Sequence, residues 1–236
     1  MSESSNVAIV YYSATGTIHT LADAVRAGAT DAGAAVRLRR VEELAPLKAI
    51  LSNDAWVHNL AATSRVPLAT HEDLLWADAV IFGTPARFGN VASQLKQFID
   101  TLSGLWRQDL LSDKVYSGFT STASAHGGQE STLLALYNSI YHFGGIIASP
   151  GYKNHINDSA GNPYGAGHVT GEDGSIPVDE TALNAARFQG ERIAGLAATF
   201  KTGRAAQRLA LTAAGEDSRR RSGLSLARRH VALEGG

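Results

Sequence analysis

The residues of this chain best suited to chemistry stand just after its first apolar run: Ser13-Ala14-Thr15-Gly16-Thr17-Ile18. Three hydroxyls and one glycine precede a segment with helical spacing. A helix N-terminus presents unpaired backbone N–H groups and a partial positive charge. Glycine lets the backbone approach an anion closely, and Ser13, Thr15 and Thr17 add hydroxyl donors. No lysine follows Gly16, which argues against a triphosphate loop, and no G-x-G-x-x-G marks a dinucleotide-binding half. A neutral nest of this kind suits a monophosphate. The plain alternative is a Ser or Thr that caps an ordinary helix.

A second segment, Gly83-Thr84-Pro85-Ala86-Arg87-Phe88-Gly89-Asn90, follows another apolar run. Pro85 stiffens the turn, and the Arg87 guanidinium or the Phe88 ring suits the face of a planar ligand. The third is Thr120 to Glu130, with Ser121, Thr122, Ala123, Ser124, His126 and Gly127. Its small residues and backbone donors suit the polar edge of a flat heterocycle. The alternatives are a plain strand-to-helix turn and a flexible surface loop. His19, His58, His71, His155 and His168 are scattered without metal-ligand spacing, so solvated or capping roles and no metal site are expected. Asp109 with Asp113, and Glu172 with Asp173, look like surface acids, and Trp56 and Trp76 like packing residues.

These segments need a frame. Val7 to Tyr12 is a continuous apolar run, as suits a strand covered on both faces. Ile18, Leu21, Ala22 and Val25 recur at helical spacing. Residues 35–41 alternate like a second strand. Residues 42–71 keep no period and suit a loop with short helical turns. Residues 79–83, 114–119 and 145–148 supply strands three to five, with helices between them and a last helix at about 180–200. Residues 153–177 are a Gly/Asn/Pro-rich loop. Strand and helix alternate, which predicts an α/β fold with right-handed parallel crossovers. Five strands suit a flavodoxin-like doubly wound parallel sheet, strand order 2-1-3-4-5. Ligands bind at the carboxyl ends of such strands. The three unusual segments follow strands one, three and four, so they meet at that edge.

Hydrophobic residues make up 44% of the 236, which suits a globular body, and the formal net charge is −1. Residues 203–236 hold seven arginines against three acids. They read as a basic, mobile C-terminal tail behind a domain at 1–202. A solvated tail is the expectation, with no nucleic-acid partner. The absence of cysteine excludes disulfides and Cys nucleophiles. Without a secretory signal or a long apolar run, a soluble cytoplasmic protein with no membrane span is expected.

The segment Gly83 to Asn90 recurs with Gly104-Leu105-Trp106, His126-Gly127-Gly128-Gln129-Glu130, Pro163-Tyr164-Gly165-Ala166 and Ala186-Arg187-Phe188-Gln189-Gly190-Glu191. In this order the chain resembles the WrbA-type NAD(P)H:quinone oxidoreductases, a flavodoxin-like branch, over about residues 6–200. The resemblance implies FMN as cofactor, a homotetramer, and two-electron reduction of quinones to hydroquinones by NADH or NADPH. It implies ping-pong hydride transfer through flavin N5. Carried over by position, Ser13, Ala14, Thr15, Gly16, Thr17 and Ile18 hold the phosphate. Pro85, Ala86, Arg87 and Phe88 flank the isoalloxazine, and Ser121, Thr122, Ala123, Ser124, His126 and Gly127 meet its polar edge and the ribityl chain. Trp106 matches a substrate-stacking tryptophan, with Phe88 as the opposing surface. His142 matches a histidine that reaches a neighbouring subunit's flavin and serves the developing hydroquinone oxygen. Thr15 departs from the family, which places an aromatic residue for the nicotinamide there. A one-electron carrier, and an FMN-binding interaction protein with little turnover, are the rival readings.

Overall fold

The computed structural model describes residues 4–153, 160–172 and 174–233, with side chains through 212. Four parallel strands carry the frame: β1 (Asn6–Tyr11), β2 (Ala35–Arg40), β3 (Ala79–Arg87) and β5 (Val115–Thr122). They lie in the order β2-β1-β3-β5, and β6 (Ile146–Ile147) closes the row. The expected fourth and fifth strands are β5 and β6, so the 2-1-3-4-5 order holds. A two-residue strand, β4 (Asn90–Val91), folds back antiparallel on the end of β3.

The expected loop at 153–177 is not wholly irregular. β7 (Gly167–Val169) pairs with Thr120 to Thr122, on the β5 strand that β6 meets lower down at Val115 and Tyr116. Pro150 and Pro163 have no N–H for a ladder, which is one reason the chain leaves the sheet there. β7 then returns the chain to the site-bearing end of β5.

The alternation of β1 explains its unbroken apolar run. Val7, Ile9 and Tyr11 enter one core, and Ala8 and Val10 enter the other. α1 (Thr17–Asp31) and α8 (Glu180–Leu233) cover the first face with Ile18, Leu21, Val25, Ala186 and Ile193. α5 (Ser93–Asp100) and α7 (Gln129–Phe143) cover the second with Leu95, Phe98, Leu133, Leu136 and Ile140. A side chain such as Ile9 or Leu136, fully buried here, costs about 2–5 kcal/mol when cut to alanine.

Two glycines let α1 and α8 touch backbone to backbone. A Cβ on Gly28 would stand 1.9 Å from the Arg187 carbonyl oxygen, and one on Gly190 would stand 2.0 Å from that of Val25. Between them Gln189, fully buried, donates to Ser117 Oγ at 2.7 Å and to the Gly118 carbonyl at 2.8 Å, and accepts from the Ala166 N–H at 2.8 Å. The Ala186-Arg187-Phe188-Gln189-Gly190 motif is therefore a packing device.

The α8 backbone runs on to Leu233, well past the expected end near residue 200. Its Arg, Ala and Leu residues are strong helix formers, and an isolated glycine costs only about 1 kcal/mol relative to alanine. Between the strands lie α2 (Leu47–Ile50), α3 (Asp54–Ala62), α4 (His71–Trp76) and α6 (Ser103–Arg107). Among the described residues, no helix is long and apolar enough to cross a membrane.

Candidate functional site

Because β1, β3 and β5 run parallel, their following loops meet at one edge. The first turns at Gly16, whose φ of +105° lies where L side chains are strained. Gly16 is the N-cap of α1, no side chain caps the helix, and its first turn carries no acid. The plain reading of a Ser or Thr cap therefore fails. Ser13 Oγ instead accepts from the Gly16 N–H at 3.1 Å, tightening the loop. What remains is an uncapped helix terminus edged by hydroxyls, an arrangement suited to an anion.

The second loop is pinned through Thr84. Its hydroxyl accepts from the Ala92 N–H at 3.0 Å, and its carbonyl accepts from Thr120 Oγ1 at 2.8 Å. This ties the end of β3 to β4 and β5 and fixes Pro85 and Ala86. Arg87 donates to the Ala86 carbonyl at 3.1 Å and lies at the surface. The third loop hangs from Thr122, whose hydroxyl donates to the Ser124 carbonyl at 2.8 Å and accepts from Gln129 Nε2 at 3.1 Å. The Thr122 carbonyl accepts from the Thr170 N–H at 2.8 Å, so a further loop joins the edge.

Together these loops enclose a cleft of about 230 Å³. Of the expected residues, Ser13, Ala14, Thr15, Thr17, Ile18, Pro85, Ala86, Arg87, Ser121, Thr122 and Ala123 line it. Gly16 shapes the turn without lining the cleft. Phe88 is fully exposed at a positive φ of 52° and does not line it. Ser124 and His126 are exposed in the turn beyond β5, and Gly127 is half-buried there. Four lining residues escaped sequence reasoning: Asn53, Thr170, Gly171 and Gly174. A fifth, Glu172, read as a surface acid, is exposed but stands on the cleft wall. The available signal was a Thr-Gly pair in a Gly-rich loop and the N-cap pattern Ser52-Asn53-Asp54.

Trp106 and His142 lie elsewhere. They line a separate groove of about 260 Å³ with Ile99, Ser103, Ser139 and Phe143. The half-exposed Trp106 donates its indole N–H to the His142 carbonyl at 2.8 Å. The two residues thus sit together, but not beside the cleft of their own chain.

Beneath the first loop lies a polar network around Glu43. One carboxylate oxygen accepts from Tyr12 Oη at 2.9 Å and Trp56 Nε1 at 2.8 Å, and the other from Gln94 Nε2 at 2.9 Å and the Ala45 N–H at 2.9 Å. Burial pushes the Glu43 carboxyl up, but these bonds together bring it below the ordinary glutamate value. Burial, and then bonding to Glu43, hold the Tyr12 phenol well above its ordinary value, so it remains a donor.

The family described as NADPH-dependent FMN reductase matches residues 6–156. An NAD(P)H dehydrogenase (quinone) of Deinococcus radiodurans is 47% identical over 161 residues, covering 68% of this chain and 80% of the relative. One from Methylocella silvestris is 41% identical over 200 residues, covering 83% and 98%. Among solved structures, a WrbA-like flavodoxin from Agrobacterium tumefaciens aligns with a TM-score of 0.58 and 29% identity, covering 84% of this chain and 99% of the other. An archaeal flavodoxin aligns with a TM-score of 0.52 at 13% identity, which shows the shared fold alone.

Proposed function

The chain belongs to the NADPH-dependent FMN reductase family, and on that premise we propose that it uses FMN to reduce quinones to hydroquinones with NADH or NADPH. The observation that carries the site assignment is the uncapped, acid-free start of α1 opening into a cleft that β1, β3 and β5 share. The fit of FMN rests on donor chemistry. Ser13, Thr15 and Thr17 offer hydroxyls, and the first turn of α1 offers N–H groups and dipole to a phosphate. The cleft volume is below the roughly 300 Å³ of an ordinary small-molecule site. A cleft of this size would take the phosphate and ribityl part of the group.

FMN, when bound, supplies acceptance of two electrons from a nicotinamide and their donation to a quinone. The residues do the rest. Ser13 to Ile18 hold the phosphate. Pro85, Ala86 and Arg87 flank the ring, and Ser121 to Ala123 meet its polar edge. Phe88 and Trp106 are the aromatic surfaces for planar substrates. His142 moves a proton at the hydroquinone oxygen. Trp106 and His142 serve a neighbouring copy's cleft in this reading, and the working form is the homotetramer that the resemblance implies. NAD(P)H and quinone use one place in turn, so double-reciprocal rate plots are parallel. The test is benzoquinone-dependent oxidation of NADH and NADPH by protein loaded with FMN. Absence of that oxidation with both nucleotides removes the proposal.

A further inference from the structure

Asn59, on α3, is nine-tenths buried and lies behind the first loop rather than in the cleft. Its amide nitrogen donates to two successive carbonyls, Ser13 O at 2.8 Å and Ala14 O at 3.1 Å. A trans peptide points its C=O and the next N–H in opposite directions, and no peptide bond here is cis. Holding the Ser13 and Ala14 carbonyls toward Asn59 therefore turns the Ala14 and Thr15 N–H groups away from it. Ser13, Ala14 and Thr15 line the cleft on that other side. Among the described residues, neither the Ala14 nor the Thr15 N–H is given to a protein acceptor.

α3 is itself fixed in place. Trp56 Nε1 donates to Glu43 at 2.8 Å and ties the helix to the chain after β2, while Thr63 Oγ1 closes the end of the helix on the Asn59 carbonyl at 2.8 Å. At its start Asn53 caps the helix by accepting from the Trp56 N–H at 3.0 Å, and Asn53 also lines the cleft. One short helix thus touches the cleft at its first turn and braces the loop from behind at its last.

We propose that Asn59 is a positioning residue for the anion nest: it aims the Ala14 and Thr15 N–H groups at the phosphate without touching the ligand. This rests on the FMN reading of the cleft. It separates two flavins. Riboflavin has no phosphate for these N–H groups, so its binding does not depend on their aim.

The test uses the full-length chain, stripped of flavin and titrated with FMN and with riboflavin, as wild type, Asn59→Leu and Asn59→Asp. Both side chains are close to Asn in size, and neither can donate to two carbonyls as the amide does. One buried and one part-buried carbonyl then lose their partner, which corresponds to roughly 10- to 100-fold weaker FMN binding. Riboflavin affinity should move by less than about 3-fold on the same scale. If one variant does not fold, the other decides. Equal losses for both flavins, as from an element that has merely come apart, overturn the proposal. So does FMN affinity unchanged in the folded variants. Wild-type protein that binds no FMN would instead overturn the FMN reading itself, and this role with it.

Discussion

The cleft at the strand ends and the groove beside Trp106 are built in opposite ways. The cleft draws on the ends of three strands and two further segments, and hydrogen bonds donated by Asn59, Gln129 and Thr170, with those accepted by Thr84, hold its loops. Its donors are mostly backbone and hydroxyl groups with no freedom to leave. The groove lies between α5, α6 and α7, and its main residues are side chains open to solvent. Trp106 bonds the His142 carbonyl across it, and Lys96 pairs with Asp100 along α5. The cleft's anion-holding part is built from this chain's own loops. The groove offers an aromatic face open to solvent. Binding and turnover should therefore separate by mutation.

After the Asn59 variants, the largest break on the cleft side comes at Gly16 itself. A Cβ there meets nothing closer than Asn59 Oδ1 at 3.7 Å, so space is not the obstacle; the positive φ of 105° is. Gly16→Ala imposes about 1–2 kcal/mol of backbone strain or rearranges the loop. FMN affinity measured by fluorescence titration should fall roughly 5- to 30-fold. Unchanged affinity would mean that the nest is not the phosphate site.

Trp106→Ala tests the other region. Loss of an aromatic stacking partner is worth about 0.5–1.5 kcal/mol, so kcat/KM for a quinone should drop up to about 10-fold. FMN affinity should be retained. A variant that loses FMN as readily as it loses turnover would merge the two regions that the structure separates.

The smallest effect lies below the cleft, at Glu43. Its folded pKa is below the ordinary value, so in that window the unfolded chain binds more protons than the native one. The stabilisation is full above the ordinary glutamate pKa and fades as pH falls through the lower folded value. The melting temperature of wild type should decline across that acidic window. Glu43→Gln should flatten the decline, leaving what other carboxylates contribute. Identical pH profiles for the two proteins would remove Glu43 from the account.

Much of this was legible in the order of residues. Val7 to Tyr12 is apolar without a break because both its faces are covered, and that pattern led to the parallel sheet. Gly16 stands between a strand and a helix, so the first loop was visible by position alone. Asn59 and Asn53 were not, because α3 is short and 42–71 keeps no period. The reason Asn59 matters lies 45 residues away, at the Ala14 carbonyl. β7 was hidden because three residues in a Gly-rich stretch carry no alternation, and with it went the place of Thr170 and Glu172 beside the cleft. The pairing of Trp106 with His142 depends on how α6 packs against α7, which no local pattern encodes. The extent of α8 was hidden because Gly215 and Gly223 interrupt a stretch otherwise rich in the helix formers Arg, Ala and Leu.

The central claim is two-electron traffic through FMN held in the cleft. Its most direct test is the visible spectrum of the purified, FMN-loaded protein during anaerobic titration with NADH and with NADPH, followed by benzoquinone. The account predicts that the flavin band bleaches with one equivalent of nucleotide per flavin and returns with one equivalent of quinone. Failure to bleach with both nucleotides, or build-up of a long-lived one-electron radical instead of full reduction, would contradict it.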